Sequence, residues 1–207
     1  MRLDDMTFGD TLRSAIVANL SAFQRQEATG PARSAAVAFA IIEDGGSASF
    51  LLTRRALHLT HHPGQFALPG GRIDPGESAA EAALREMEEE VGVRVGGDAV
   101  LGCLDDFTTR SGFAITPVVL WVGEAVLHPD PREVHAIFRV PLVELDRDDA
   151  PRLTEIPQSD RPVLSMPLFG DYIYAPTAVF LYQFREVALR GQATRVDHYE
   201  QPLFAWR

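Results

Sequence analysis

The amino-acid sequence predicts one mixed α/β domain, with helices packed against a β-sheet. Strand-like apolar runs and amphipathic helical segments both occur along the chain, and this mixture is typical of layered α/β architectures. The 207 residues, of which 46% are hydrophobic and 23% are charged, fit a single globular domain. We expect a helical lead-in over residues 1–30 and one domain over residues 31–207.

The first part of the chain predicts a helix and a hairpin. Apolar residues at three- and four-residue spacing predict a helix over residues 11–23. Two apolar runs, over residues 35–42 and 49–54, flank a turn that contains Gly45 and Gly46 and therefore predict a β-hairpin. Residues 57–69 show no clean period, so we expect a loop there.

The later part predicts strands, an insertion and a final helix. Strands are predicted over residues 100–107, 115–122 and 136–140. Residues 146–166 contain scattered acids and prolines, which predict a surface insertion. A C-terminal helix is predicted over residues 176–190, because Pro176 stands near its start and Gly191 follows its end.

The composition excludes several classes of partner and site. A formal net charge of -10 disfavours nucleic-acid polymers and anionic membrane surfaces, because like charges repel. No apolar run is long enough to span a bilayer. Cys103 is the only cysteine, so neither an intramolecular disulfide nor a cysteine-based zinc site can form. Acidic residues near the N-terminus predict a cytoplasmic protein rather than a secreted one, and a homodimer is compatible with the sequence.

A helix with clear start and stop signals is predicted near the middle of the chain. Ser78 and Glu81 have the spacing of a capping box, which predicts that the helix begins there, runs through Glu90 and ends near Gly92. Apolar residues recur along one side of this segment and can face a core. The other sides are largely acidic.

Three carboxylates of this helix share one face. Glu86, Glu89 and Glu90 lie at positions i, i+3 and i+4, where like charges repel. The ordinary interpretation is a solvated helix face. The alternative is a bound divalent cation, since Mg²⁺ and Mn²⁺ prefer oxygen ligands. Gly70 and Gly71 favour this alternative, because glycines let a backbone carbonyl approach a metal site closely.

The helix and its flanks resemble the Nudix signature G-x5-E-x7-R-E-U-x-E-E-x-G-U, in which U is a bulky apolar residue. Every specified position is matched, by Gly71, Glu77, Arg85, Glu86, Met87, Glu89, Glu90, Gly92 and Val93. The resemblance implies a Nudix-type α/β/α sandwich with a mixed β-sheet, in which the signature forms a catalytic loop-helix-loop. It also implies hydrolysis of a nucleoside diphosphate that is linked to another moiety.

The resemblance implies roles for the matched residues. The implied site for Mg²⁺ or Mn²⁺ consists of Glu86, Glu89, Glu90 and the carbonyl of Gly71. Glu89 is also implied to help activate water. Glu77 and Arg85 are implied to form an ion pair that holds the loop against the helix, although a surface pair of Arg85 with Glu81 or Glu89 is the plainer alternative. Gly92 has a structural role. Bound cations would neutralise a diphosphate, which explains how an acidic protein can bind an acidic substrate.

An upstream pattern within residues 51–71 is similar to that of the coenzyme A pyrophosphatase branch of this family. Residues 133–142 and 173–178 resemble later elements of the same branch. The resemblance implies a small-molecule substrate, coenzyme A or a derivative, cleaved to 3',5'-ADP and a 4'-phosphopantetheine species. The substrate contacts that we predict are Arg54, Arg55, His62, Gln65 and Tyr174. Phe66 and Tyr172 are further candidates for an apolar wall, for which core packing is the ordinary alternative.

The general base and the exact substrate stay open at this stage. Glu89 is the first candidate for the base because it shares the face of the metal ligands, and Glu133 is the second, ahead of Asp105 and Asp106. The runner-up substrates are ADP-ribose and other nucleoside diphosphate sugars. A non-catalytic, nucleotide-sensing module and a damaged-nucleotide hydrolase are weaker alternatives, because all the catalytic glutamates are retained and because the upstream pattern is present.

Overall fold

The computed structural model describes residues 6–30 and 33–206. Within them lie three α-helices and two β-sheets, with an eight-stranded sheet at the centre. Residues 1–5 of the predicted lead-in, residues 31 and 32 at the predicted domain boundary, and residue 207 lie outside the described residues.

The central sheet is mixed. Its strands are β1 (Arg33–Asp44), β2 (Ser47–Arg55), β3 (Phe66–Ala67), β4 (Gly70–Arg72), β5 (Val100–Cys103), β6 (Phe107–Thr108), β7 (Phe113–Gly123) and β8 (Val134–Pro141). The long strands β1 and β7 run parallel to each other, whereas the other pairs are antiparallel. Through the parallel pair, β1 contacts a strand that is distant in the sequence. With β2 on one side and β7 on the other, β1 lies in the middle of the sheet.

A split between β1 and β2 organises one end of the sheet. The two strands pair only where residues 41–44 of β1 face residues 47–50 of β2. Beyond this point they separate, and the two short strands occupy the gap: β3 pairs with β2, and β4 pairs with β1. On their other sides, β2 pairs with β8 and β1 pairs with β7. The chain between β3 and β4 therefore crosses the middle of the sheet.

Helices cover both faces of the sheet. The helix α2 (Ala79–Val91) packs its alanines and Met87 on small apolar residues of β1, such as Ala38. The helices α1 (Asp10–Ala22) and α3 (Thr177–Phe184) pack on the opposite face, where Phe184 stacks on Phe39 with ring centroids 3.7 Å apart. Alternating side chains of one strand therefore enter two different cores. After α3 the helical segment continues as a π-helical turn, Arg185–Leu189.

The second sheet has three antiparallel strands, β9 (Arg152–Ile156), β10 (Ser159–Leu168) and β11 (Asp171–Tyr174). Residues 146–166 were predicted to be a surface insertion, and this is correct only for the part around β9, which is exposed. In β10, Val163, Leu164 and Met166 are buried in the core beside α3. The prolines obscured this apolar run, because proline within a central strand such as β10 is confined to irregular positions, and Pro162 lies at the register shift between Ser159 and Val163.

The structure confirms most of the predicted elements, including the first helix, the hairpin and the helix after Ser78. Two predictions were wrong in detail. Residues 57–69 are not wholly loop, since β3 lies within them, and residues 100–107 form two strands rather than one, because Leu104, Asp105 and Asp106 separate β5 from β6. A two-residue strand has no period of its own, so only its partners define it. Among the described residues, no helix is both long and apolar enough to cross a membrane.

Candidate active site

Local interactions fix both ends of α2. At its start, the Glu81 amide donates to Ser78 Oγ at 3.2 Å, and the Ser78 amide donates to Glu81 Oε2 at 2.8 Å. At its end, Gly92 takes the left-handed conformation with φ 74. A Cβ atom on Gly92 would lie 2.7 Å from the backbone oxygen of His128, so glycine satisfies both the conformation and the contact.

The carboxylates of α2 lie against the glycines of β4. A Cβ atom on Gly71 would lie 2.2 Å from Glu86 Oε1, so only glycine leaves room for this carboxylate. The amide of Gly70 donates to Glu90 Oε2 at 3.4 Å. Gly70 also has no room for a side chain, because a Cβ atom would lie 2.3 Å from the backbone oxygen of Ala36. The two glycines thus let the strand backbone meet the two carboxylates directly.

Two of these carboxyl groups have raised pKa values. Glu90 is only 4% exposed, and burial, together with the charges of Glu86 and Glu133, raises its pKa to about 8. Burial also raises the pKa of Glu86, although Arg85 opposes this shift. Desolvation and like charges both disfavour the ionised form. The face of α2 next to β4 is therefore a site of concentrated negative charge.

Arg85 connects the loop before α2 to the carboxylates on it. Its Nε donates to Glu77 Oε1 at 2.9 Å, and its Nη1 donates to Glu86 Oε1 at 2.8 Å and to Glu89 Oε2 at 3.1 Å. A further bond, from Nη2 to the carbonyl of Arg72 at 2.9 Å, reaches β4. The bond from Arg85 lowers the pKa of Glu77. Arg85 is therefore more than a surface partner of a single glutamate.

The three carboxylates do not converge as their spacing predicted. Glu90 turns into the protein, whereas the Glu89 side chain is 58% exposed and is held by Arg85. Among the described residues, no three His, Cys, Asp or Glu side chains are arranged so that they could hold a metal ion together. Like charges repel, and Glu86 and Glu89 both bind the guanidinium group of Arg85.

The candidates for a general base lie in different surroundings. Glu133 is exposed in the turn immediately before β8 and lies close enough to raise the pKa of both Glu86 and Glu90. The Ala56 amide donates to the carbonyl of Glu133 at 2.8 Å and joins this loop to the end of β2. In contrast, Asp105 and Asp106, which were third candidates, are bound by arginines and hold the segment after α1.

The predicted substrate contacts divide into three places. Arg55 lies near Glu90, and its amide donates to the Gln65 carbonyl at 2.9 Å. Its buried Nε has no hydrogen-bond partner among the described residues. His62 has a left-handed backbone, φ 54, and reduced solvation together with the charge of Arg55 lowers its pKa. Arg54 points to the other face of the sheet, and Tyr174 lies on the second sheet.

The contact between the Gly70 amide and Glu90 was not predicted from the sequence. The Gly70-Gly71 pair was noted only as a source of a carbonyl ligand, and only Gly71 was assigned to the site. In the structure, the carbonyl of the neighbouring Pro69 accepts a hydrogen bond from the Ala38 amide at 2.7 Å, which holds the glycines against β1.

The sequence and the fold have identifiable relatives. A model of the NUDIX domain matches residues 31–164. Nudix hydrolase 3 of Caenorhabditis elegans is 34% identical over 175 residues, which cover 78% of this chain and 71% of that protein. A Yersinia enterocolitica protein described as uncharacterized Nudix hydrolase NudL is 45% identical over 98 residues. That match covers 46% of this chain and only 50% of the relative, so the alignment spans half of its length.

A solved structure supports the fold assignment. The MutT/nudix family protein from Enterococcus faecalis superposes with a TM-score of 0.53, at 15% identity, over 87% of this chain and 75% of that one. At this identity the likeness concerns the fold alone. It confirms the predicted α/β fold with a mixed sheet, while the roles of individual residues stay predictions.

Proposed function

Because the chain belongs to the Nudix family, whose members hydrolyse phosphoric anhydrides, we propose that it is a divalent-metal-dependent pyrophosphohydrolase acting on coenzyme A or its derivatives. The products are 3',5'-ADP and a 4'-phosphopantetheine species. The observation that carries this proposal is the pair of carboxylates that lie against the glycines of β4: Glu90, which is buried, and Glu86, which is half-buried and bound to Arg85. The choice of coenzyme A as the substrate rests on the upstream sequence pattern within residues 51–71.

The donor chemistry of this site, rather than the arrangement of its side chains, fits a hard divalent cation. Family members use divalent metals, and Glu86, Glu89, Glu90 and the carbonyl of Gly71 would hold Mg²⁺ or Mn²⁺ here. The fit is chemical: all the donors are oxygens, and burial makes the negative charge of Glu90 costly without a cation. When bound, the metal neutralises the diphosphate and lowers the pKa of water near it.

Arg85 and Glu133 have complementary tasks in this proposal. Arg85 orients Glu86 and ties the signature loop to α2 through Glu77, so it is a positioning residue. Glu133 accepts the proton of the attacking water, because it is exposed beside the carboxylates and forms no ion pair within 4 Å among the described residues. Glu89, the other candidate, is already bound to Arg85. The structure therefore favours Glu133 over Glu89 as the general base.

The loop between β2 and β3 supplies the cations that a phosphorylated substrate requires. Arg55 has a buried guanidinium nitrogen without a partner, next to Glu90. His62 and Gln65 lie on the same loop. Burial and the charge of Arg55 lower the pKa of His62, which a hydrogen bond with Gln65 only partly offsets. A substrate phosphate would provide the acceptor that Arg55 lacks, since guanidinium groups bind phosphate strongly.

One experiment tests the proposal as a whole. The purified chain is incubated with Mg²⁺ or Mn²⁺ and with coenzyme A, acyl-coenzyme A, ADP-ribose or a diadenosine polyphosphate, and the products are identified by mass. We expect 3',5'-ADP from both coenzyme A compounds and no turnover after chelation of the metal. Faster hydrolysis of ADP-ribose would replace coenzyme A with the runner-up substrate class. Tight nucleotide binding without any product would contradict the enzymatic proposal.

A further inference from the structure

The loop between β7 and β8 is anchored to the C-terminal end of α2. The His128 amide donates to the Val91 carbonyl at 2.8 Å, and the Asp130 amide donates to the Glu90 carbonyl at 3.0 Å. Carbonyls in the last turn of a helix lack partners within the helix, so the loop supplies the donors that they need. Glu90, which carries the buried carboxylate, thus also holds this loop through its backbone.

Asp130 closes a tight turn just before β8. Its carboxylate accepts from the Arg132 amide at 2.9 Å, and its carbonyl accepts from the amides of Glu133 at 3.0 Å and Val134 at 2.8 Å. A carboxylate that binds the amide two residues later forms an Asx turn. Pro131 has no amide hydrogen, so every amide that residues 131–134 can offer is bound to Asp130.

This turn determines where Glu133 lies. The amide of Glu133 is bound to Asp130, and its carbonyl accepts from the Ala56 amide at 2.8 Å. The backbone of Glu133 is therefore fixed on both sides, although its side chain is exposed and lies near the carboxylates of Glu86 and Glu90. A general base must be held within reach of the proton that it accepts.

The carboxylate of Asp130 also binds the Arg132 guanidinium, through Nε to Oδ1 at 3.0 Å and Nη2 to Oδ2 at 2.6 Å. The Arg132 side chain is 86% exposed, and an ion pair so exposed contributes little. The bond to the Arg132 amide, in contrast, shapes the backbone. The turn therefore depends on an acceptor oxygen at position 130 more than on the ion pair.

We propose that Asp130 is a positioning residue for the hydrolysis, which places the Glu133 carboxylate beside the carboxylates of α2 by tying its turn to the backbone of Glu90. This inference rests on the proposed function, in which Glu133 is the general base. Asp130 acts through Glu133 alone. Its loss should therefore lower kcat rather than raise KM.

A double-variant cycle with Glu133→Gln tests this dependence. We expect Asp130→Ala to reduce kcat about tenfold with KM within about twofold, because a misplaced base accepts the proton less well. In the Glu133→Gln background the same substitution should change kcat by less than about twofold, since no base is left to misplace. Equal losses of kcat in both backgrounds would overturn the proposal.

Three further variants separate the turn from the ion pair. Asp130→Asn keeps an acceptor oxygen and should retain kcat within about threefold, and Arg132→Ala keeps the amide and should stay within about twofold. Asp149→Ala is the matched control, because Asp149 binds Arg147 through the same two-bond fork at 2.8 and 2.9 Å, in the segment before β9. Its kcat should equal that of the wild type. A loss in Asp130→Asn as large as that in Asp130→Ala would contradict the role of the turn.

Amide hydrogen exchange, measured by NMR without substrate, gives a readout apart from turnover. We expect the amides of Glu133 and Val134 to exchange at least about tenfold faster in Asp130→Ala than in the wild type, and at the wild-type rate in Asp149→Ala. Unchanged exchange in Asp130→Ala would overturn the proposal. If the wild-type protein hydrolyses none of the compounds, the proposed function fails, whereas exchange still decides whether Asp130 fixes the Glu133 turn.

Discussion

Two buried carboxylates with the same exposure have opposite surroundings. Glu90 and Asp105 are each 4% exposed. Asp105 accepts hydrogen bonds from the Gln26 amide at 2.7 Å, from Gln183 Nε2 at 2.8 Å and from Arg195 Nη1 at 2.8 Å. Glu90 accepts one long bond, from the Gly70 amide at 3.4 Å, and lies near two other glutamates.

This difference separates a structural charge from a functional one. The partners of Asp105 come from the segment after α1, from α3 and from the C-terminal segment, so the buried charge holds distant parts of the chain together. A buried charge with such partners is compensated. The charge of Glu90 is only weakly compensated within the protein, by the Gly70 amide and by nearby Arg55, and such a site becomes more favourable when a ligand supplies positive charge.

The largest expected effect concerns Glu133, the exposed carboxylate beside Glu86 and Glu90. We expect Glu133→Gln to reduce kcat about 1000-fold, since the loss of a general base costs roughly 100- to 10,000-fold. Glu89→Gln, which removes one proposed metal ligand together with the Arg85 contact, should reduce kcat by only about 100-fold. Steady-state kinetics with the substrate found by mass spectrometry measures both. The reverse order of effects would make Glu89 the base.

The next effect concerns Glu90 itself. We expect Glu90→Gln to reduce turnover at least about 100-fold, because a lost metal ligand removes several kcal/mol of charge stabilisation. The same variant should unfold at a higher temperature than the wild type when both are metal-free at pH 8. Glutamine has the same shape but cannot ionise, so the cost of burying the charge disappears. Near-wild-type turnover in this variant would contradict the assigned ligand.

Asp105 should show the opposite behaviour. We expect Asp105→Asn to lower the free energy of unfolding by about 2 kcal/mol, a value reduced from that of fully buried pairs because Arg195 is partly exposed. The kcat of the folded variant should stay within about twofold of the wild type. Denaturant unfolding and steady-state kinetics provide the two measurements. A large loss of kcat with unchanged stability would place Asp105 in the reaction after all.

The difference between the two carboxylates also shows what the sequence can predict. The ends of α2 were predictable because the Ser78 capping box and Gly92 act through neighbouring residues. The hairpin of β1 and β2 was predictable for the same reason. The residues of the candidate site followed from the signature, but the isolation of Glu90 did not, because it depends on residues 20 and more positions away, such as Gly70 and Glu133.

Long-range pairing explains the remaining misses. The split between β1 and β2, which brings β3 and β4 into the centre of the sheet, is defined by pairs of distant residues rather than by a local pattern. The position of Phe169 beside Phe66 and Phe138 likewise depends on how the second sheet packs. The arrangement of Arg85 between Glu86 and Glu89 depends on charge, which the helical spacing alone does not describe.

The smallest expected effect is a pH dependence that only Glu90 should carry. Its pKa of about 8 in the metal-free protein means that a metal ion displaces a proton below pH 8. The apparent affinity for Mn²⁺ should therefore rise about tenfold per pH unit between pH 6 and 8 and level off above pH 8. Calorimetric titration with Mn²⁺ at several pH values measures this slope. Asp105→Asn should keep the slope, whereas Glu90→Gln should flatten it and weaken binding, because the carboxyl group that exchanges its proton for the ion is gone.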